Sequence, residues 1–301
     1  MSLMEFLYRI PEEKYSKGQI SEEVVLKNIK KAKKIIEDSE AIIVGGGSGL
    51  SSACGYNYYH HNEFFEEHFS GFQQRYGFDN IFAGLNYVYS KPEERWAFWA
   101  NYIKLIDKEK AGKPYLQLKD ILKEKPYFIL TTNIDAQFQK VFPEEKIWSF
   151  QGDVRYFQCS QPCHDKIYEN SEIVNKLVEQ TEDFKVPSDI IPRCPKCGRI
   201  MTMWAREEGF LEGSKWTEEK IRYERFLKEY KDKKIVFLEL GVGDMTPSII
   251  KYPFWAMTKQ FKDAHLISIN MAKISAPEHI KEKTIVIPME LGKTFDMWNY
   301  I

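Results

Sequence analysis

Cysteine is scarce, five in 301 residues, which excludes a disulfide-stapled secreted scaffold. Charge of one sign is not in excess either: 43 Lys and Arg face 44 Asp and Glu, for a formal net charge of −1. A chain so balanced offers no basic face to nucleic acid or to an anionic membrane as its main partner. No apolar run approaches the roughly 18 residues of a membrane span. No secretory signal opens the chain, so reducing cytoplasm is the expected compartment. Internal repeats and low-complexity tracts are missing too. Apolar material is ample, 43% of the residues, enough for one large domain with a smaller one inserted.

Residues 21–38 read as an amphipathic helix. Val25, Ile29, Ala32 and Ile36 fall on one face, Ser21 is a cap, and Glu22 and Glu23 suit the first turn. Six runs rich in Ile, Val and Leu follow, at 41–44, 127–130, 147–150, 235–240, 266–269 and 284–287. Each is strand-length and apolar on both faces, the pattern of a parallel sheet covered by helices on both sides. An aromatic stretch between the first two runs, residues 56–102, reads as a packed helical insert. Residues 153–234 lose the regular pattern and hold four of the cysteines, which marks a separate small module.

The first run leads into Gly45-Gly46-Gly47-Ser48-Gly49-Leu50-Ser51-Ser52. A buried strand ending in glycines before a helix start is a recipe for holding a pyrophosphate. The backbone can approach closely, and free N–H groups face the anion. A tight structural turn has the same look. No Lys-Ser/Thr ending follows, so this is no P-loop, and the G-x-G-x-x-G spacing fails because residue 52 is Ser.

Four further pieces follow in order: Thr131-Thr132-Asn133-Ile134-Asp135, Gln151-Gly152, Gly241-Val242-Gly243-Asp244 and Ser268-Ile269-Asn270. With the glycine loop, their order and spacing resemble the sirtuin family from about residue 20 onward. Gly47-Ser48-Gly49-Leu50-Ser51 matches its Gly-Ala-Gly-x-Ser loop, and 131–135 its Thr-Gln-Asn-Ile-Asp. Gln151-Gly152 stands at its His-Gly, Gly241-Val242-Gly243 at its Gly-Thr-Ser, and Asn270 closes its Ile-x-Ile-Asn strand. The resemblance implies NAD. Gly47, Ser48, Gly49 and Ser51 would take the phosphates, and Gly241, Val242, Gly243 and Asn270 the adenosine end. Asp135 would take the nicotinamide carboxamide, and Asn133 the nicotinamide ribose or a water.

Three departures matter. Deacylases of this family use the His-Gly histidine as general base, and the amide of Gln151 cannot take up a proton near neutral pH. Where the family reads Pro-Asp-Phe-Arg, this chain has Asn57-Tyr58-Tyr59-His60. The family's Phe-Gly-Glu segment, which pairs with an acyl-lysine peptide, has no match around Met203-Trp204-Ala205-Arg206-Glu207. The pattern is similar instead to the macrodomain-linked (class M) sirtuins. That branch implies transfer of ADP-ribose to a lipoylated carrier protein (glycine-cleavage H-like), with a macrodomain hydrolase reversing the mark. Asn133 and Gln151 are the expected catalytic pair. A residual deacylase and a noncatalytic NAD or ADP-ribose sensor are the alternatives. A free NAD hydrolase fits less well, since such enzymes keep the His and lack the cysteine module.

Cys159-x3-Cys163 and Cys194-x2-Cys197 lie 30 residues apart and can supply the four thiolates of a closed, structural Zn²⁺ site, with unmetallated buried thiols as the alternative. Their place in the chain matches the sirtuin zinc module. His164 is an alternative ligand, though an exposed loop His is the plainer reading, and Cys54 reads as a small packed residue. The expected architecture is α/β. A Rossmann-like sheet domain spans 20–155 and 233–301, with a helical insert at about 56–115. A zinc-ribbon-like module spans 156–232, and NAD lies in the cleft between the two.

Overall fold

The computed structural model describes residues 22–271 and 276–300. Helix α1 (Glu22–Asp38) buries Val25, Ile29, Ala32 and Ile36 on one face, as their spacing dictates. The expected cap, Ser21, lies outside the described residues. Strand β1 (Ala41–Gly46) runs through Gly47 into the short helix α2 (Ser48–Ser52). The aromatic segment then forms α3 (Glu63–Tyr76), α4 (Ile81–Leu85) and α5 (Pro92–Lys108). The Asn62 and Asn80 side chains cap α3 and α4, each accepting a backbone N–H at 2.8 Å. Helix α6 (Lys113–Leu122) leads to β2 (Tyr127–Thr131) and β3 (Ile147–Ser149).

Strand β4 (Gly152–Cys159) leaves this layer and pairs antiparallel with β5 (Tyr168–Glu169) and β6 (Met201–Ala205), with α7 (Ser171–Glu179) between them in sequence. Helix α8 (Ser214–Tyr230) returns the chain to β7 (Ile235–Leu240), α9 (Lys251–Gln260), β8 (Ala264–Ile269), β9 (Thr284–Ile287) and α10 (Leu291–Tyr300).

All six apolar runs are strands of one parallel sheet, in the order β3-β2-β1-β7-β8-β9. The chain winds outward from β1 to β3, then restarts beside β1 at β7 and winds the other way. That reversal opens a crevice between β1 and β7, beyond their carboxyl ends, where open α/β sheets bind ligands. Ile42, Val44, Val236 and Leu238 pack one face against α1, α6 and α10, and Ala41, Ile43, Phe128 and Phe237 pack the other against α8 and α9. Both sheet edges are covered by side chains. Buried Glu219 of α8 accepts the Ser149 N–H of β3 at 2.9 Å, and Asn28 of α1 donates to the Val286 carbonyl of β9 at 3.0 Å.

The aromatic helices build a third core. Phe65, Phe69, Phe98, Trp96 and Tyr102 pack with Phe157, Leu177, Met203 and the buried cysteines Cys159 and Cys194. The insert thus shares its interior with the cysteine-bearing segment, although some 50 residues of sheet-forming chain separate the two in sequence.

Candidate functional site

The strand ends converge on one row. Ser149, Thr131, Gly46, Leu240, Ile269 and Ile287 are mutual register partners across the sheet. Every motif singled out in the sequence leaves the sheet from that row. Gly47 and Gly241 follow it by one residue, as does Asn270, and Asn133 and Gln151 follow it by two. Backbone bonds continue the ladder past the row, Thr132 N–H to Gly46 O at 3.1 Å and Gly241 N–H to Ile269 O at 2.9 Å.

The glycines are needed where two of these loops touch. A Cβ on Gly47 would lie 2.6 Å from Gly241 O, and one on Gly49 would lie 2.7 Å from Gly241 Cα. Gly241 itself has φ +60. Of the two uses the sequence allows these glycines, a ligand's close approach or a tight structural turn, their packing shows the second, the seating of one loop on the other. Gly49 N–H donates to Gly241 O at 2.9 Å, and Asn270 Nδ2 donates to Val242 O at 2.9 Å. Gly243 stays open, with nothing within 4 Å of its added Cβ.

Beside this seam lies a polar cluster. Asn133 Nδ2 donates to Gly47 O (3.0 Å) and lies 3.2 Å from Ser51 Oγ and 3.3 Å from Tyr115 Oη. Ser51 donates to Asp135 Oδ2 at 2.5 Å, Tyr58 donates to the same oxygen at 3.1 Å, and Gln137 N–H reaches Oδ1 at 3.2 Å. Asp135 is buried, and desolvation holds its carboxyl above the ordinary range despite these donors. Burial likewise pushes the phenols of Tyr58, Tyr102 and Tyr115 well above theirs. Among the described residues Oδ1 of Asn133 has no partner.

Gln151 is held by its backbone. Phe150 N–H donates to Thr131 O at 3.1 Å, and Arg206 N–H donates to Gln151 O at 2.9 Å. Phe150 O accepts from Arg206 Nη2 at 3.1 Å and from Trp216 Nε1 at 3.0 Å. The Arg206 guanidinium lies over Phe150, Phe210 and Trp216, at 4.8, 4.4 and 5.6 Å from their ring centroids. Gly152 turns the chain at φ +91, and a Cβ there would strike Trp204 O. The Gln151 amide makes no side-chain hydrogen bond among the described residues, and none joins it to Asn133. The two follow neighbouring strands, each two residues beyond the Thr131–Ser149 pair.

The four cysteines predicted as ligands come together, with all Sγ atoms within 4.8 Å of one another. Cys159–Cys197 and Cys163–Cys194 are each 3.6 Å apart. Tetrahedral zinc with bonds of about 2.3 Å needs sulfurs about 3.8 Å apart, so the cluster fits a metal ion. His164 is half-buried rather than an exposed loop residue. Its Nδ1 lies 3.2 Å from Cys163 Sγ and its Nε2 lies 2.7 Å from Tyr168 Oη, which makes it a neighbour of the cluster held from both sides. Cys54 packs beside the glycine loop as expected, its thiol bonded to Leu50 O at 3.3 Å and pushed up to about 12 by burial.

Tyr58, Tyr115, Arg206 and Trp216 escaped the sequence reading. Tyr58 was visible only as the residue replacing a family pattern, and Arg206 only as a mismatch to one.

No protein-family model matches the chain. A relative named "Protein ADP-ribosyltransferase" from Staphylococcus aureus (strain Mu50 / ATCC 700699) is 33% identical over 262 residues, which is 85% of this chain and 82% of the relative. A "Probable bifunctional ADP-ribose hydrolase/ADP-ribosyltransferase" from Fusarium oxysporum f. sp. cubense is 26% identical over 235 residues, 74% of this chain but 38% of that longer protein. Among solved structures, a Sir2 homologue in complex with NAD superposes with a TM-score of 0.61 at 16% identity, over 90% of this chain and 93% of that one. Sir2Tm bound to a propionylated peptide gives 0.57 at 17% identity, over 89% and 95%. Those two likenesses carry the fold, and the Staphylococcus relative carries the family. The chain belongs to the protein ADP-ribosyltransferases and has the fold of the Sir2 homologues.

Proposed function

We propose that this chain is an NAD-dependent protein mono-ADP-ribosyltransferase acting in the cytoplasm on a lipoylated carrier protein of the glycine-cleavage H type. One observation carries the reading. At the carboxyl edge of the sheet, where the ribose would lie, Gln151 stands where the family's deacylases carry a histidine, and its amide, like that of Asn133, cannot take up a proton. Deacylation needs such a base on the ribose hydroxyls. Transfer needs only an electrophilic C1′ and an oriented acceptor.

NAD occupies the crevice between the sheet domain (20–155 and 233–301) and the cysteine module (156–232). Gly47, Ser48, Gly49 and Ser51 hold the phosphates, and Gly241, Val242, Gly243 and Asn270 line the adenosine end. Asp135 receives the carboxamide of nicotinamide. Its Oδ1 carries one donor, Gln137 N–H, and has a lone pair to spare. The C1′–nitrogen bond breaks with its electron pair going to nicotinamide. The acceptor's nucleophile bonds C1′ and gives up its proton to solvent water. Asn133 Oδ1 and the Gln151 amide orient ribose and acceptor and stabilise the charge developing on the ribose.

Cys159, Cys163, Cys194 and Cys197 would hold zinc, a closed four-thiolate site of the structural kind that would tie β4 to the Cys194–Cys197 turn. A macrodomain hydrolase reverses the modification, a pairing supported by the two activities named together in the Fusarium relative. Purified protein incubated with labelled NAD and a lipoylated carrier domain should label the carrier. The reading fails if the carrier stays unlabelled while acyl-lysine peptides lose their acyl groups. NAD binding with neither reaction identifies a sensor instead.

A further inference from the structure

A buried hydrogen-bond chain runs behind Asn133, and its direction is fixed by chemistry. Gly47 O can only accept, so it takes one N–H of the Asn133 amide at 3.0 Å. The other N–H has two oxygens in reach, Ser51 Oγ at 3.2 Å and Tyr115 Oη at 3.3 Å, and the nearer accepts freely only if the Ser51 proton is turned elsewhere. It is turned to Asp135 Oδ2, 2.5 Å away. An ionised carboxylate accepts and never donates, so Asp135 sets the sense of every bond from itself through Ser51 to Asn133. A proton on Asp135 would make the carboxyl a competing donor and release that order.

Two members of this chain come from outside the glycine helix and the β2 loop: Tyr115 of α6, 3.0 Å from Ser51 Oγ, and Tyr58, which alone of the two bonds Asp135. Its hydroxyl donates to Asp135 Oδ2 at 3.1 Å. Its position is fixed by the aromatic lobe: Phe82 N–H of α4 donates to Tyr58 O at 2.8 Å, and its ring meets Tyr102 of α5 edge-on at 6.1 Å. The preceding Asn57 bends the loop, its Oδ1 accepting the N–H groups of Tyr59 and His60 at 3.1 and 3.2 Å.

We propose that Tyr58 is a positioning residue for the transfer reaction, a donor that keeps Asp135 an acceptor and so keeps the Asn133 amide turned with Oδ1 free. This deepens the transferase reading and rests on it. The surroundings of Asp135 leave Tyr58 a large share of that task. Burial drives the carboxyl towards its neutral form, and Asp153 on β4 adds a like charge. Lys140 is a cation that interacts with it. The phenols of Tyr56, Tyr59, Tyr102 and Tyr115 and the thiol of Cys54 are themselves held neutral by burial.

Tyr58→Phe removes one oxygen and keeps the ring against Tyr102. Infrared difference titration of the intact protein, with Asp135→Asn to identify the band, should show the Asp135 carboxylate protonating at higher pH in the variant. Ser51→Ala should move it the same way. Nicotinamide release at neutral pH should fall roughly tenfold, the cost of one hydrogen bond to a charged group. Its acid limb should move to higher pH, with the KM for NAD within about twofold, a pattern that simple loss of packing would not give. An Asp135 titration unchanged by Tyr58→Phe overturns the inference. If the wild type releases no nicotinamide, the transferase reading falls, and the titration still decides the role of Tyr58.

Discussion

Replacing Gly47 by Ala tests whether the seam between the glycine loop and the Gly241 loop is built on backbone contact. The added Cβ would sit 2.6 Å from Gly241 O and 2.7 Å from Val242 Cα, against an ordinary carbon–carbon contact of about 3.5–4.0 Å. Both obstacles are main chain, so no rotamer can clear them, and the loops must part by roughly 1 Å. The bonds that resist are Gly47 N–H to Leu240 O (3.0 Å) and Gly49 N–H to Gly241 O (2.9 Å). Overpacking of this kind costs about 1–3 kcal/mol. Gly47 has φ −114, which Ala adopts freely, so a stiffer unfolded chain returns about 0.4–1 kcal/mol. The overlap wins, and the expected net loss is about 1–2 kcal/mol. Urea denaturation should show it as a lower midpoint with an unchanged slope. NAD affinity, read by calorimetry, should drop about tenfold as the crevice widens. Gly243→Ala is the control. Its Cβ meets nothing within 4 Å, so that variant should be stabilised by about 0.4–1 kcal/mol even if the methyl group crowds NAD. A Gly47→Ala midpoint at or above wild type, or an equal loss in Gly243→Ala, would refute the steric argument.

Arg206→Ala should lower stability by about 1–2 kcal/mol through the lost bond to Phe150 O and the lost ring contacts, and should cut transfer more than NAD binding. Arg206→Lys should not restore it, since an ammonium lacks the planar fork that stacks and donates at once. One zinc per chain should be released on thiol modification, and stripping it with a chelator should collapse near-ultraviolet circular dichroism from the aromatic helices, because Cys159 and Cys194 lie in their core. Gln151→His should raise deacylation of acyl-lysine peptides above the wild-type level while Gln151→Ala does not, both measured by released nicotinamide and peptide mass. As for pH, Asp135 keeps a raised carboxyl in the fold, so the native state takes up its proton before the unfolded chain does. Its contribution therefore favours the fold more as pH falls through that folded value, while activity, which needs the carboxylate, should fall over the same interval.

The sheet was legible because its inner strands are buried on both faces, which leaves runs such as 41–46 and 235–240 with no competing pattern. That the motifs meet was legible because strand ends in this topology share one row, so order along the chain predicts adjacency in space. The four cysteines announced themselves by spacing. Tyr58 and Arg206 did not, because neither has a local pattern. Tyr58 matters through Asp135, 77 residues away, and Arg206 through Phe150, 56 residues away. Glu219 is the same case: in sequence it is one more acid on a charged helix, and only the fold reveals it capping the edge strand.

The β1–β7 pairing that opens the crevice also sets when the crevice can exist. It joins segments about as far apart as Glu40 and Lys234, which bond across a separation of 194 residues. Closing so long a loop is entropically slow, and a nascent chain lacks β7 until most of it has been synthesised. Until then β1 stands with one flank unpaired, next to a glycine turn that has nothing to rest on. The ligand crevice is thus assembled late, as a consequence of closing the fold, and a chain stopped before residue 235 would carry an exposed, aggregation-prone strand in place of half a binding site.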